Sequence, residues 1–473
     1  MTSLVLPGSA EHARREAERR LRAHTWPAGL LQVLARLQEG GAQAYVVGGS
    51  VRDVLLERPL DRYWDIATSR TPDEVRACFT QVEGIGERHG TVLVVEGDTL
   101  VECTTFRREG DYSDARRPDE VWYTLDALED LARRDLTVNA LAFDPVHGVL
   151  LDPFEGARDL ARRRLRAVGD PHDRLREDAL RALRVARFAA VLEMEVEPET
   201  REALAGVVDR APRLAIERVR VELEKLLTAR HPSVGLELLR ESGLLALWMP
   251  ELVACHGVGQ NRHHAYDVYW HSLHSCDAAP MDKPVVRWAA LLHDIGKPAT
   301  RAVREDGEAT FYSHEIVGAE KAEQLLLRLR CSNDFRTRVV HLVREHMFDY
   351  RATWSDAAVR RFVRRVGVEH LADLFDVRMA DSIGNGLKVP DVDRLEALSA
   401  RVEAVLAEAG AIAVEDLAIG GAEVMAVLGI APERRVGEAL EALLEAVIED
   451  PSRNTPEGLR ALLEGMREGE RRP

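Results

Sequence analysis

Two groups of side chains in this sequence are of types that could carry out chemistry on phosphates. The first begins with a glycine turn, GGS at 48–50, which follows an apolar run and precedes a helix carrying Arg52. Two carboxylates come later, Asp65 in one β-rich run and Glu102 in another. Backbone N–H groups at a helix start can bind phosphate, and carboxylates from neighbouring strands suit Mg²⁺ that arrives with substrate phosphates. The pattern indicates a magnesium-dependent transfer reaction, although either acid alone is more often a solvated strand residue.

The second group combines imidazoles with carboxylates in the second half of the chain. Its members all lie in helical patterns: His271, His293, Asp294, His314, His346 and Asp381. Such a mixture suits Mn, Fe, Ni or Zn, and the lack of cysteine in the group argues against a structural zinc site. A single helical histidine is most often a packed or surface residue. An adjacent His-Asp pair flanked by LL and IGKP is much less common, so we expect a metal-dependent site.

The elements that must position the first group form an α/β pattern from about residue 40 to 150. Strands are predicted from AYVVGG, DRYWDIAT, TVLVVE and TLVECTTF, and helices from SVRDVLLE and TPDEVRACF. Thr71 and Glu74 have the spacing of a capping box, and Gly97-Asp98 is suited to a tight hairpin. Beyond about residue 155, leucine, alanine, arginine and glutamate recur at helical spacing. The predicted fold class is α+β, with a small mixed-sheet head followed by an elongated all-helical body.

Composition narrows the class of protein. The 473 residues are 46% hydrophobic and 30% charged, which is ordinary for a globular chain of three or four domains. There is no apolar stretch near the roughly 18–20 residues of a membrane span, no secretory signal and no cysteine pairing motif, so we expect a cytoplasmic protein without a membrane partner. The net charge of −16 is uneven: residues 158–187 hold ten arginines against five acids, and residues 391–450 hold four against fourteen. The arginine-rich stretch is either a nucleic-acid-binding stripe or a solvated helix face.

Several sequence motifs follow one another along most of the chain, each occurring once. They are YVVGGSVRDVLL (45–56), WDIATSRTPDEV (64–75), VECTTFRREGDYSDARRPDEV (101–121), ARRDLTVNALAFDP (132–145), DPFEGARDL (152–160), REDALRALRVARFAA (176–190), ERVRVELEKLL (217–227) and, more faintly, residues 416–450. In this order they resemble the class II tRNA nucleotidyltransferase and bacterial poly(A) polymerase family of the polymerase-β superfamily. The resemblance implies a polymerase-β-like nucleotidyltransferase head.

The same resemblance implies roles for the matching residues of the head. Asp65 and Glu102 would be catalytic carboxylates that hold Mg²⁺. The nucleotide would be bound by Gly48, Gly49, Arg52, Arg134, Asp135, Asn139, Asp178, Arg181 and Arg184. Among these, Asp178 and Arg181 would read the Watson–Crick edge of cytosine or adenine, since residues three apart are expected on one helix face.

One position departs from the family pattern. Relatives place a first catalytic aspartate two residues before the second, and that position here is Tyr63. Tyrosine is a poor Mg²⁺ ligand because its unperturbed pKa is near 10. Asp61 would share the strand face but lie about 13 Å from Asp65, so it could substitute only through a bulge or a register shift. We expect nucleotide binding to survive and transfer to be slow or absent.

The histidine-rich group closely resembles the HD phosphohydrolase superfamily. By that resemblance His271, His293, Asp294 and Asp381 would be the core metal ligands, and His314 and His346 could hold a second ion. Such domains hydrolyse phosphomonoesters or cyclic phosphates. Lys297, just past the His-Asp pair, either neutralises phosphate charge or faces solvent.

The leading prediction is an enzyme that adds C and/or A to the 3′ end of tRNA without a nucleic-acid template, using CTP and/or ATP. The alternatives are a poly(A) polymerase, an RNA-binding phosphohydrolase with an impaired head, and, least favoured, an RNA chaperone. The segment 110–121 resembles a loop that enzymes lacking A-addition usually shorten, which argues against addition of C alone. We expect a catalytic head at 1–150, a base-recognising helical neck at 151–255, an HD domain at 256–388 and a tRNA-binding tail at 389–473.

Overall fold

The computed structural model describes residues 9–60, 62–86, 90–109, 121–261, 264–387, 389, 392–408 and 411–470. The chain forms two compact units. The first comprises residues 1–253 and 328–330, and the second comprises residues 254–327 and 331–473. Among the described residues, no helix combines the length and the apolar character needed to cross a lipid bilayer.

The strands are short and most of them lie in the first unit. They are β1 Ala44–Val47, β2 Trp64–Thr68, β3 Val82–Gly86, β4 Thr91–Glu96, β5 Thr99–Thr105, β6 Arg107–Glu109, β7 Val121–Tyr123, β8 Ala142–Asp144, β9 Val149–Leu151, β10 Arg164–Leu165, β11 Glu195–Val196, β12 Ala302–Val303 and β13 Ala309–Thr310.

Helices account for most of the rest of the chain. In the first unit they are α1 Ala10–Ala23, α2 Ala28–Gln38, α3 Gly49–Leu55, α4 Pro72–Cys78, α5 Ala127–Ala132, α6 Gly156–Ala161, α7 Pro171–Glu177, α8 Leu180–Leu192, α9 Pro198–Ala203, α10 Ile216–Leu227, α11 Pro232–Glu241, α12 Leu245–Trp248 and α13 Pro250–Val253. Those that follow are α14 Val268–Ala278, α15 Pro284–Leu292, α16 Lys297–Thr300, α17 His314–Arg328, α18 Asn333–Glu345, α19 Asp356–Val366, α20 Leu371–Gly384, α21 Val392–Ala407, α22 Gly421–Leu428, α23 Arg434–Glu449 and α24 Pro456–Glu470.

A seven-stranded sheet in the order β3-β4-β5-β2-β1-β8-β9 organises the first unit. Strands β2 and β5 are parallel, and the other neighbours are antiparallel. The mixed sheet of the predicted head is therefore confirmed, as is the predominantly helical remainder. The hairpin predicted at Gly97 joins β4 to β5 with Gly97 at φ +60°, a conformation that glycine adopts without steric cost. The Thr71–Glu74 capping box at the start of α4 is also present.

The central strands are buried, which fixes the orientation of the residues beside them. Val46 and Ile66 are paired across β1 and β2 and are both inaccessible to solvent. An apolar cluster that includes Phe106, Leu131 and Val168 packs against the same strands. Because side chains alternate along a strand, the burial of Val46 and Ile66 on one face of the sheet directs the residues before and after them in each strand toward the opposite face.

Three expectations about local structure need correction or lie outside the described residues. Strand β2 begins at Trp64, so Arg62 and Tyr63 lie in a bend before the strand, and the expected strand does not extend over these two residues. Asp61 falls outside the described residues, as does 110–120, which contains most of the loop-like segment. Asp178 is not part of a helix: α7 ends at Glu177, and the Asp178 carboxylate accepts a hydrogen bond of 3.0 Å from the Leu180 backbone N–H just before α8. Aspartate competes with the helix for backbone donors in this way.

In the second unit, helices α14, α15, α18 and α20 pack together around a core that contains Trp288 and Leu292. A separate apolar cluster, which includes Leu443 and Leu463, supports the carboxy-terminal helices. Acidic residues of α23 are paired with arginines of α19, as in the 2.7 Å contact between Arg364 and Glu445. Part of the negative charge counted for residues 391–450 is therefore neutralised by arginines of this unit.

Candidate functional site

The first unit contains an open cavity of about 550 Å³ in which many of the predicted nucleotide-binding residues meet. Its lining includes Gly49, Arg52, Asp65, Arg134, Asp135, Asn139, Asp178, Arg181 and Arg184. Residues that are far apart in the sequence thus face a single space. Arginine dominates the lining, which suits a polyanionic ligand.

The glycine turn allows two charged side chains to approach the backbone. Gly48 has φ +61°, and a Cβ atom there would lie 2.5 Å from Nη1 of Arg134. That Arg134 nitrogen donates to the carbonyl oxygen of Asn139 at 3.2 Å, and Arg52 donates to the Asn139 side-chain oxygen at 2.6 Å. A side chain at position 48 would displace the end of the Arg134 side chain, and the positive φ there favours glycine.

The predicted metal carboxylates lie side by side on neighbouring strands. Asp65 of β2 is paired in parallel register with Glu102 of β5, which directs both side chains to the same face of the sheet. The Asp65 backbone N–H donates to Oγ of Ser50 at 3.0 Å, and this contact ties the strand to the glycine turn. Asp65 lines the cavity. Two adjacent carboxylates fit a divalent ion that also binds substrate phosphate. The third carboxylate that the family resemblance leads us to expect at position 63 is replaced by tyrosine.

Asp135 is an acid of this cavity that is held by three hydrogen bonds. Its carboxylate accepts hydrogen bonds from Arg184 at 2.6 Å, from the Asn139 side chain at 3.0 Å and from the Leu136 backbone N–H at 2.8 Å. Burial by itself would raise the pKa of Asp135, but the Arg184 charge and these hydrogen bonds outweigh it and hold the pKa well below its usual range. Asp135 is therefore a fixed anion that orients Arg184 and Asn139.

The two residues predicted to read the base both line the cavity, although not through one helix face. Asp178 precedes α8 and accepts a hydrogen bond of 2.9 Å from Arg218. Arg181 lies in the first turn of α8, where it pairs with Glu177 and donates to the carbonyl oxygen of Arg133 at 3.0 Å. Both polar groups already have protein partners, so an arriving base must exchange or share those hydrogen bonds.

Several lining residues were not predicted: Thr91, Thr104, Arg107, Arg133, Arg187, Phe188 and Arg218. The Phe188 ring lies under the guanidinium carbons of Arg187 at 4.0 Å, Arg52 at 5.0 Å and Arg184 at 5.4 Å. Burial, together with the positive charge of Arg184, lowers the pKa of Arg187 to about 10. Each of these arginines also has an acid partner, Asp53 for Arg52, Asp135 for Arg184 and Glu222 for Arg187, and stacking on one aromatic ring helps to hold the three cations together.

The arginine-rich stretch 158–187 does not form one uniform surface. Arg163 donates to the backbone carbonyl oxygens of Leu192 at 2.9 Å and Glu193 at 3.0 Å, which makes it a structural residue. Arg181, Arg184 and Arg187 face the cavity instead. The proposed RNA-binding stripe remains a prediction for the exposed remainder.

The second unit brings all six predicted HD residues together. His293, His314 and His346 each place Nδ1 at 2.7–2.8 Å from a backbone carbonyl oxygen three residues earlier. A carbonyl accepts but cannot donate, so Nδ1 carries the proton and Nε2 of the neutral ring is available as a ligand. Gly296 permits this arrangement, because a Cβ there would lie 2.1 Å from the carbonyl oxygen of His314.

The free nitrogen atoms and the carboxylates converge in two sets of three. His271, His293 and Asp381 form one set, and Asp294, His314 and His346 form the other, with the ligand atoms of each set within 4.8 Å of one another. Nε2 of His271 lies 3.1 Å from Nε2 of His293 and 3.1 Å from a carboxylate oxygen of Asp381. Among the described residues, these are the groups of three or more His, Cys, Asp or Glu that could hold a metal ion. Their donor set fits one or two borderline transition metal ions.

The electrostatics of this site suit cations. Burial would raise the pKa of Asp294, yet His293 and Lys297 hold it well below its usual value, and the pKa of Asp381 is lowered by His271 and His293 against the same effect. Burial lowers the pKa of His346 to about 3, so its imidazole is neutral near pH 7. Both carboxylates are therefore anionic and His346 is in its ligand form.

A cavity of about 360 Å³ opens from these ligands, and two cations line it. Lys297, which the sequence left between two alternatives, is buried and donates to Asp294 at 2.6 Å. Arg378, which was not predicted, donates to Asp381 at 2.9 Å. Its position three residues before Asp381 on α20 is a signal that could have identified it.

Three protein-family models match successive parts of the chain, in the same order as the sequence motifs. The family model for the poly A polymerase head domain matches residues 44–166, and that for the probable RNA and SrmB-binding site of polymerase A matches residues 193–255. The HD domain model matches residues 261–396.

Similar proteins carry the name CCA-adding enzyme. One from Geobacillus thermodenitrificans (strain NG80-2) is 41% identical over 271 residues, and one from Levilactobacillus brevis is 45% identical over 212 residues. These alignments span 57% and 45% of this chain, and only 64% and 53% of those relatives. One from Streptococcus pyogenes serotype M4 (strain MGAS10750) is 34% identical over 423 residues, covering 89% of this chain and 92% of the relative.

Solved structures agree with this similarity. A Bacillus stearothermophilus CCA-adding enzyme in complex with CTP is 28% identical, with a TM-score of 0.73 over 93% of this chain and 98% of that one. A Thermotoga maritima CCA-adding enzyme complexed with tRNA shares the fold at 18% identity, with a TM-score of 0.55 over 95% of this chain and 98% of that one. Nucleotidyltransferase and HD domains generally use divalent metals. From the near-complete Streptococcus pyogenes alignment we conclude that the chain belongs to the CCA-adding enzyme family of nucleotidyltransferases.

Proposed function

We propose that this chain adds C and/or A nucleotides to the 3′ end of tRNA without a nucleic-acid template. The observation that carries the proposal is the arginine-rich cavity of the first unit. There, the carboxylate of Asp65 faces the same space as the Asp178 and Arg181 pair. A similar protein is known with CTP bound, which supports CTP as one substrate. ATP and the tRNA acceptor end complete the proposed set of substrates.

The proposed roles follow from the contacts of each residue. Arg52 and Arg134, held together by Asn139, bind the triphosphate beside the glycine turn. Asp65 and Glu102 would hold Mg²⁺, which when bound would neutralise charge on the departing pyrophosphate. Asp178 accepts a hydrogen bond from the exocyclic amine of cytosine or adenine, and Arg181 donates to a ring nitrogen or oxygen. Uracil and guanine offer the opposite pattern and leave these groups unpaired.

The second unit is proposed to be a phosphohydrolase that uses Mn, Ni, Fe or Zn. His271, His293, Asp294 and Asp381 would hold one ion, and His314 and His346 could hold another. The bound metal supplies an activated water and neutralises phosphate charge. Lys297 and Arg378 fix the two carboxylates and add positive charge beside the ligands.

Incubation of the protein with tRNA lacking CCA, Mg²⁺ and one labelled nucleotide at a time tests the first activity. The proposal expects incorporation of C, of A or of both, and none of U or G. Long A tails would instead identify a poly(A) polymerase.

One observation favours a second candidate function, an RNA-binding phosphohydrolase with an inactive head. Tyr63 replaces a carboxylate beside Asp65, and among the described residues no third acid joins Asp65 and Glu102 in a metal-binding group. Under this alternative, the protein incorporates no nucleotide but still binds tRNA and hydrolyses phosphate esters.

A further inference from the structure

An aromatic ring stands at the mouth of the cavity in the second unit. Tyr312 lines this cavity, and 74% of its surface is accessible to solvent. Met347, which is 53% accessible, lines the same cavity. Single exposed apolar side chains are common, but these two stand beside the buried metal-ligand sets. The cavity therefore has a charged interior and an apolar rim.

The backbone beside Tyr312 is held in an unusual conformation. Ser313 has φ +62°, which an L-residue other than asparagine or aspartate seldom adopts. The next residue, His314, is buried and anchored through Nδ1 to the carbonyl oxygen of Phe311 at 2.7 Å. This turn lets His314 lie among the ligand sets while Tyr312 remains exposed. Such strain persists only where surrounding contacts enforce it, and it is common at ligand sites.

The charges inside the cavity indicate what kind of ligand it takes. Lys297 and Arg378 balance the charges of Asp294 and Asp381, with which they are paired at 2.6 Å and 2.9 Å. Any divalent cation on the histidines then makes the interior positive, which favours a phosphate group. A volume of about 360 Å³ is within the range of small-molecule sites.

We propose that Tyr312 stacks on the base of a nucleoside phosphate, so that the second unit acts on nucleotides in preference to phosphate esters without a base. The inference rests on the proposed phosphohydrolase function. Hydrolysis joins a water oxygen to phosphorus and breaks the phosphorus–ester oxygen bond. The ester oxygen takes a proton and leaves as the nucleoside hydroxyl, and inorganic phosphate is released. The nucleoside can be free or the last residue of an RNA.

The test compares three substrates with the metal-loaded protein: adenosine 3′-phosphate, a short RNA with a 3′-phosphate, and glycerol 2-phosphate. Stacking of a base on an aromatic side chain strengthens binding by about tenfold or more in single-stranded nucleic-acid sites. We therefore expect Tyr312→Ala to lower kcat/KM about tenfold for substrates with a base, mainly through KM, and to leave glycerol 2-phosphate unchanged. Tyr312→Phe, which keeps the ring, should behave like the unmodified protein. Met281→Ala, which removes a side chain that is 53% accessible in the same unit, is the matched control.

Equal loss on all three substrates, or no loss on any, would overturn the stacking role. If Tyr312→Ala lowers kcat/KM for the RNA alone and leaves free adenosine 3′-phosphate unaffected, Tyr312 contacts another part of the RNA and not the base next to the phosphate. That result would also overturn the stacking role. Calorimetric binding of adenosine 3′-phosphate and of inorganic phosphate provides a readout without turnover. If no substrate is hydrolysed, the phosphohydrolase function fails. Tyr312→Ala must still weaken binding of the nucleotide about tenfold and spare inorganic phosphate, or the stacking proposal fails as well.

Discussion

Replacing Tyr63 with aspartate should increase nucleotide transfer. Tyr63 lies two residues before Asp65, immediately before β2 begins at Trp64. Two residues of fully extended chain span about 6.6 Å, which is the upper limit for the separation of positions 63 and 65, so carboxylates at both positions can reach the same two metal ions. A carboxylate about 4 Å from a divalent ion has a gross attraction of about 8 kcal/mol at an effective dielectric constant of 20, most of which is offset by desolvation. Retention of about 1.4 kcal/mol in the transition state is enough for a tenfold rate increase.

The assay is single-turnover incorporation of labelled CTP or ATP into tRNA lacking its CCA end. Tyr63→Asp should raise the rate at least about tenfold and lower the Mg²⁺ concentration needed for half the maximal rate. Tyr63→Asn, a neutral side chain close in size to aspartate, should produce neither effect. If both variants react like the unmodified protein, charge at position 63 does not limit transfer and the reasoning is refuted. A normal rate for the unmodified protein that Asp61→Ala abolishes would show that Asp61 replaces the missing acid.

Three other predictions concern base choice, independence of the sites and acid stability. Asp178→Ala should admit UTP or GTP because it removes the acceptor for the exocyclic amine, which contributes roughly 1–3 kcal/mol of discrimination between nucleotides. Asp173→Ala, on the exposed face of α7, is the control and should leave nucleotide selectivity unchanged. Unchanged selectivity in Asp178→Ala would contradict the base-reading role. His293→Ala should abolish phosphohydrolase activity and leave the rate of nucleotide incorporation within a few-fold of the unmodified protein, and the control His370→Ala should leave both activities unchanged. Equal loss of the two activities in His293→Ala would show that the sites are coupled or that the variant misfolds. Asp135→Asn should cost about 3–5 kcal/mol of unfolding free energy at pH 7. Because folding lowers the pKa of Asp135, its stabilisation is complete above the unfolded pKa near 4 and is lost as pH falls toward the folded value. Denaturant titrations from pH 7 to pH 3 should thus show the difference between the two proteins shrinking below about pH 4, and a constant difference would argue against the charged network.

Local signals in the sequence were sufficient where one short segment determines the structure. Gly97-Asp98 between two β-rich runs specified a hairpin, and Thr71 with Glu74 specified a helix start, because each depends on hydrogen bonds between near neighbours. The β-rich run DRYWDIAT also placed the Asp65 carboxylate in a strand. These features need no knowledge of the tertiary structure.

Positions that depend on tertiary contacts were less predictable. Arg218 and Arg187 face the nucleotide cavity, but in the sequence they are ordinary arginines of helical segments. The interruption at Asp178 was missed because leucine and alanine on both sides continue the helical pattern, and only the hydrogen bonds to Leu180 and Arg218 reveal the break. The predicted strand began too early because tyrosine is a residue type that favours strands. In the structure, pairing with β1 and β5 begins at Trp64 or beyond.

The most direct test of the central claim is to read the 3′ end of the tRNA product at single-nucleotide resolution. A tRNA that ends at the position before CCA is incubated with Mg²⁺ and all four nucleotides, with the unmodified protein, Tyr63→Asp and Asp65→Asn in parallel. We predict extension by C and A alone, ending within three nucleotides, faster with Tyr63→Asp and lost with Asp65→Asn. Long A tails, equal extension by Asp65→Asn, or no extension by either the unmodified protein or Tyr63→Asp would contradict it.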